Sequence, residues 1–399
     1  MKPLSEIALK VKSSPTLSIN SMYKQMIASG EDVIGFVAGE PDFATPENIK
    51  DACKRALDDN KTKYTPSSGI VELKKAICER MKMDCNINYK PSEVLVASGA
   101  KHNLYLALRA LLNPGDEVIL IAPCWVSYDE MIKMCGAVPV VVQTEIEDNF
   151  KLSMQKLEDA VTKKTKCIII NSPNNPTGVL YSRDELMQIA EICERHDLYV
   201  ISDEIYYKLI YDGEKFTSFA SLDERFKERT ILIGGVSKSY AMTGWRIGFS
   251  LAPEHITKIM SSYVSHSTAA PSSLSQWASV EAFSGSQDSV NQMRDVFEQR
   301  RNYMAGRLKT ISGVDCFVPS GAFYIFVDIR KLLGKTADGV KIDSCETFAN
   351  ELLKQAHVAV VPGYCFFKPG FLRLNFVTDI ENIIEGLNRI EDFVNKLKD

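Results

Sequence analysis

The chain has 399 residues, 45% of them hydrophobic and 25% charged, with a formal net charge of −4 and a pI near 5.9. That length exceeds what one small core uses, so two packed domains are expected, and the composition excludes a disordered or fibrous chain. With no basic excess, nucleic acid and anionic membranes are excluded as partners, and any anion must be held by a local site.

The opening run Met1-Lys2-Pro3-Leu4-Ser5-Glu6 lacks the basic segment and apolar core of a signal peptide. The longest apolar stretches, such as Val138 to Val142, are far too short to span a bilayer, so a cytoplasmic location is expected. Ten cysteines, at 53, 78, 85, 124, 135, 167, 193, 316, 345 and 365, form no CxxC pair and no tight Cys/His cluster. Neither a metal site nor a disulfide scaffold is expected; reduced, mostly buried thiols are.

No internal repeat or low-complexity linker interrupts the chain. From about residue 90 to 250, short apolar runs alternate with stretches of helical spacing. Val94 to Ala97 reads as a strand broken by Ser98-Gly99-Ala100, and His102 to Leu112 as a helix closed by Asn113-Pro114-Gly115. Glu117 to Ile121 is the next strand, a helix follows from Ser153 to Lys163, and Cys167 to Ile170 is a strand again. Ser182-Arg183-Asp184-Glu185 is a capping box opening a helix that ends near His196. Leu198 to Ile201, Thr230 to Ile233 and Ile247 to Leu251 complete the strands.

Continuously apolar strands separated by helices imply an α/β fold, a mainly parallel sheet with helices on both faces. Ligands bind such sheets beyond the carboxyl ends of the strands. After about residue 290 the pattern changes. A long charged helix, Val290 to Thr310, leads to strands at Phe323 to Val327 and Leu372 to Phe376, and an amphipathic helix runs from Ile380 to Lys398. The expected organisation is an N-terminal segment (1–45) packing with a smaller α+β domain (291–399) around a large domain (46–290). The cleft between them is the expected site.

Three dense motifs fall where strands end: Asn171-Ser172-Pro173-Asn174-Asn175-Pro176-Thr177-Gly178, Ser202-Asp203-Glu204-Ile205-Tyr206, and Gly234-Gly235-Val236-Ser237-Lys238-Ser239-Tyr240. Arg246 follows the lysine by eight residues. An Asp, a Lys, an Arg and an Asn at one sheet edge suit an anionic, ring-bearing ligand. No GxGxxG opens a strand–helix turn, which argues against a dinucleotide fold.

The runs SPNNPTG, SDEIY and SKSYAMTGWR, with Gly39-Glu40-Pro41-Asp42-Phe43 before them and Arg373 after, resemble the fold-type I pyridoxal-phosphate aminotransferases of class I. The likeness is greatest to the bacterial-type aspartate aminotransferase subgroup. It implies pyridoxal 5'-phosphate carried as a Schiff base on Lys238, whose amine also moves the proton, and ping-pong transfer through a pyridoxamine form. Asp203 would keep the ring nitrogen protonated, while Tyr206 and Asn175 would hydrogen-bond the ring oxygen. Gly99, Ala100, Ser237 and Arg246 would hold the phosphate at a helix start. Relatives often carry a hydroxyl residue three positions before the lysine, where this chain has Gly235. Trp125 would stack on the ring, and Tyr64 would reach the phosphate of a neighbouring subunit, making the enzyme a homodimer with a shared site.

Arg373 would grip the substrate α-carboxylate as a fork, joined by the Gly39 backbone. Lys101, directly after Gly99-Ala100, would meet a second carboxylate, helped by the hydroxyls of Ser14 and Thr16. The implied reaction converts aspartate and 2-oxoglutarate to oxaloacetate and glutamate. The alternatives are transfer to prephenate, aromatic acids or alanine on the same fold, or a pyridoxal-phosphate β-lyase.

Overall fold

The computed structural model describes residues 2–13 and 15–399. Seven strands make the main sheet: β1 (Val94–Ala97), β2 (Glu117–Ala122), β3 (Val138–Gln143), β4 (Thr165–Asn171), β5 (Tyr199–Asp203), β6 (Thr230–Gly235) and β7 (Gly248–Leu251). Their spatial order is β1-β7-β6-β5-β4-β2-β3, and β7 alone runs antiparallel to its neighbours.

The strands read as unbroken apolar runs because both faces are covered. In β4, Cys167 and Ile169 pack with Leu104 and Leu108 of helix α1 (Ala100–Leu111) on one face. Ile168 and Ile170 pack on the other face with Leu186 and Ile189 of α3 (Arg183–Arg195), which follows the short helix α2 (Ser127–Met134). Each such side chain contributes about 1.5–3 kcal/mol by leaving water. The capping box stands as expected: Ser182 Oγ accepts from the Glu185 amide and Glu185 Oε2 from the Ser182 amide.

The sequence reading placed no strand between Ile121 and Cys167, yet β3 lies there. Among the described residues it is an edge strand, paired only with β2, with Val138 exposed, and an edge is where Pro139 costs no ladder bond. The helix expected from Ser153 to Lys163 is shorter, Met154–Ala160, with Ser153 as its cap.

Beyond α4 (Asp288–Leu308), strands β8 (Tyr324–Asp328) and β9 (Phe371–Asn375) form the centre of a four-stranded antiparallel sheet with Asp315–Cys316 and Val361–Pro362. The early chain joins this part. Ile34–Gly35 pairs parallel with Val358–Ala359, and the Asn375 amide donates to the Phe36 carbonyl at 3.1 Å. Eight of the ten cysteines are buried.

Candidate active site

The segments following β2, β4, β5 and β6 converge, with the start of α1 and with Arg373 of β9, on one cleft of about 390 Å³. It sits at the carboxyl ends of the parallel strands, where adjacent crossovers leave a crevice.

Asp203, the last residue of β5, is 3% exposed. Its Oδ2 accepts from the Tyr128 hydroxyl at 2.6 Å and its Oδ1 from the Ile205 amide at 3.3 Å. Asn171, ending β4, donates to the Asp203 carbonyl at 2.9 Å and accepts from the Asn175 amide at 2.8 Å, so one asparagine ties two motif loops together. Burial pushes the Asp203 carboxyl up to about 6, against the Tyr128 and Ile205 hydrogen bonds and the Lys238 charge.

Lys238 donates from Nζ to the Gly39 carbonyl. Burial pulls its amine down to about 8; Glu40 and Asp203 oppose this, while Arg373 and Arg246 add to it. An amine there is protonated at neutral pH yet gives its proton up cheaply, as a group that must be both cation and nucleophile requires. The Tyr206 hydroxyl lies 3.2 Å from that of Tyr324, and burial raises its phenol well above the usual value.

At the start of α1, Gly99 has φ 87° and Arg246 φ 57°. The Arg246 guanidinium donates to the carbonyls of Thr243 at 2.9 Å and Ser98 at 3.3 Å. A Cβ on Gly99 would stand 2.4 Å from Arg246 Nη2, and one on Gly248 of β7 only 2.2 Å from the Ala100 nitrogen. Glycine at both positions lets a helix N-terminus and a guanidinium share one cradle, the arrangement that binds phosphate.

Arg373 is 4% exposed. It donates to the Val37 carbonyl at 2.9 Å and to Asn175 Oδ1 at 3.3 Å, and lies 4.4 Å from the Tyr324 ring and 5.1 Å from the Phe366 ring. Among the described residues its Nε has no partner and no carboxylate pairs with it. Lys101 Nζ lies 4.7 Å over the Trp125 ring, and burial with the nearby Arg246 charge depresses its pKa. The cleft therefore holds four cations (Lys101, Lys238, Arg246 and Arg373) against the carboxylates of Glu40 and Asp203.

Of the residues singled out in the sequence, Gly39, Ala100, Lys101, Trp125, Asn175, Asp203, Tyr206, Ser237, Lys238, Arg246 and Arg373 all line this cleft, with Gly99 capping α1 beside it. Tyr64 does not line the cleft of its own chain; it stands fully exposed. Thr16 falls in the helix Pro15–Ala28, which brings Asn20 to the cleft. Ser14 and the Thr16 side chain lie outside the described residues. The sequence reading assigned no role to Tyr128, Asn171, Tyr324, Glu40, Thr243 or Asn20. For Tyr128 a signal was present: it follows Trp125 by three residues at a helix start, so the two rings meet edge to face, 5.4 Å between centroids.

A buried lysine amine pulled down to about 8, in one cleft with a buried carboxylate and three further cations, suits an enzyme that handles a polyanionic cofactor or substrate covalently or by proton transfer. The chain is an aminotransferase of the class I and II family, which it matches over residues 31–390. It is 45% identical over 383 residues to an aspartate aminotransferase of Bacillus subtilis, covering 96% of each chain. The solved aspartate aminotransferase of Rhizobium meliloti superposes with a TM-score of 0.96 at 39% identity, covering 100% of both chains. That of Thermus thermophilus, solved with maleate, superposes with a TM-score of 0.93 at 38% identity, covering 98% of this chain and 100% of that one.

Proposed function

We propose that this chain moves the amino group of aspartate onto 2-oxoglutarate, yielding oxaloacetate and glutamate, with pyridoxal phosphate bound through Lys238. One observation carries the reading: Arg373 and Lys101, from β9 and α1, line a single cleft, and among the described residues no carboxylate acts on either. A buried guanidinium without an anion costs several kcal/mol, so the missing anion belongs to the ligand. A dicarboxylate meets both cations at once; maleate, the ligand of the Thermus relative, is one.

The residues present fit the cofactor. The Gly99–Arg246 cradle suits a phosphate, the buried Asp203 carboxyl a ring cation, and the Asn175 and Tyr206 side chains a ring oxygen. When bound, pyridoxal phosphate supplies an electron sink for the negative charge left at the amino-acid Cα. The chain's own groups do the rest. Arg373 and the Gly39 backbone orient the α-carboxylate. Lys238 Nζ, its pKa pulled down to about 8 by burial, takes the proton from one carbon and delivers it to another. Trp125 lines the cleft, where its ring would stack on that of the cofactor. Tyr128 and Ile205 keep Asp203 in its ionised form, the form a ring cation needs.

In this reading Tyr64, exposed on its own chain, serves the phosphate site of a second copy, so the enzyme is a homodimer. No described helix is long and apolar enough to cross a membrane.

Purified with cofactor, the protein should be yellow, bleach on addition of aspartate alone, and regain colour when 2-oxoglutarate follows. Bleaching by neutral amino acids but not by aspartate or glutamate would overturn the dicarboxylate assignment.

A further inference from the structure

The loop that leads into β9 is tied to the main sheet at several points. Its backbone closes on itself through the Lys368 amide and the Gly363 carbonyl, 3.0 Å apart. Lys368 is 8% exposed, and Nζ donates to the Thr144 carbonyl at 2.8 Å and to the Glu145 carboxylate. Thr144 in turn donates from its amide (2.8 Å) and hydroxyl (2.9 Å) to the carbonyl of Ala122, the end of β2 and three residues before Trp125. The Cys124 amide donates to the Phe366 carbonyl at 3.3 Å, and Gln143 to that of Phe367 at 3.1 Å. Phe367 itself sits at φ 63°, a conformation bulky side chains adopt only when their surroundings force it.

These contacts join the two substrate cations in one continuous chain. Arg373 lies against Phe366; Phe366 is bonded to Cys124; Trp125 follows, with Lys101 over its ring. We propose that Lys368 is a positioning residue for substrate length: by pinning this loop to Thr144 and Glu145, it fixes the separation of Arg373 and Lys101, and so which dicarboxylate spans them. Lys368 does not line the cleft. A buried ammonium is retained there because two acceptors in the turn just after β3 hold it, and a tether of one length results. The proposal rests on the dicarboxylate reading above.

The test measures binding without turnover. Calorimetry on the cofactor-loaded enzyme gives dissociation constants for succinate, for glutarate (one methylene longer) and for butyrate, which has a single carboxylate. The parent should prefer one diacid, since a single methylene in a shaped site is worth roughly tenfold or more. Lys368→Met should shrink that preference at least about threefold while butyrate affinity stays put. Glu145→Gln, which leaves the bond to Thr144 in place, should shift it in the same direction by less and serves if the methionine variant does not fold. Unchanged preference in the folded variants, or equal weakening of all three ligands, overturns the tether. A parent enzyme that binds neither diacid overturns the dicarboxylate reading, and the tether's role in it.

Discussion

Replacing Tyr128 with Phe keeps the ring that packs edge to face on Trp125 and deletes only the hydroxyl that donates to Asp203 Oδ2 at 2.6 Å. Both side chains are buried, at 2% and 3% exposure, so water cannot step in as the lost donor. A buried hydrogen bond to an ionised acceptor is worth about 1.5–3 kcal/mol, and about 1.4 kcal/mol moves a pKa by one, so the Asp203 carboxyl should move from about 6 to roughly 7 or 8. In the unfolded chain the same group titrates near about 3.9. Because the folded value is the higher one, the folded apoprotein holds an extra proton between roughly pH 4 and 6, and its stability falls as pH rises through that window. In Tyr128→Phe the fall should continue to roughly pH 7 or 8, leaving the variant about 1.5–3 kcal/mol less stable than the parent above it and much closer to it near pH 4. Melting profiles of the two apoproteins between pH 4 and 9 read this out. Cofactor affinity, which needs the carboxylate ionised, should lose its acid limb at correspondingly higher pH. If both profiles overlay those of the parent, Tyr128 does not keep Asp203 ionised.

Lys238→Ala should fold, lose the visible absorbance of the lysine-bound cofactor and lose nearly all turnover; full activity would remove this residue from the reaction. Lys101→Ala should raise KM for aspartate by roughly tenfold, the loss of one charged contact, and leave a neutral amino acid little affected. Equal effects on both would remove the reason for choosing a dicarboxylate. Gly248→Ala places a Cβ 2.2 Å from the Ala100 nitrogen and must push the start of α1 away, at a cost of about 1–3 kcal/mol. Its melting temperature and cofactor affinity should both drop, and retention of both would mean that α1 does not form the phosphate cradle.

The apolar strands and the dense loops at their ends are properties of short windows of sequence. A strand covered on both faces must be apolar throughout, and Cys167 to Ile170 is, because its alternate residues feed two cores. The same logic hides β3: exposed at Val138 and carrying Pro139, it has the features of an edge, which local pattern does not separate from a loop. The motif residues converged as their positions at strand ends required, since parallel strands deliver all their carboxyl ends to one rim.

The long-range contacts that tune those residues were not legible. Tyr128 donates to Asp203 across 75 positions of sequence, Asn175 accepts from Arg373 across 198, and Lys368 reaches Thr144 across 224. Such pairs are set by which strands become neighbours and how the small sheet seats on the large one, and no periodicity encodes that. Local patterning and turn chemistry therefore determined the class of fold and the dense loops at the strand ends, and the motifs, with the family they resemble, named the candidate site side chains. Tertiary packing decided their pKa values, the unneutralised charge of Arg373 and the spacing of the cations, because desolvation and Coulomb interactions depend on distances that exist only once distant segments meet.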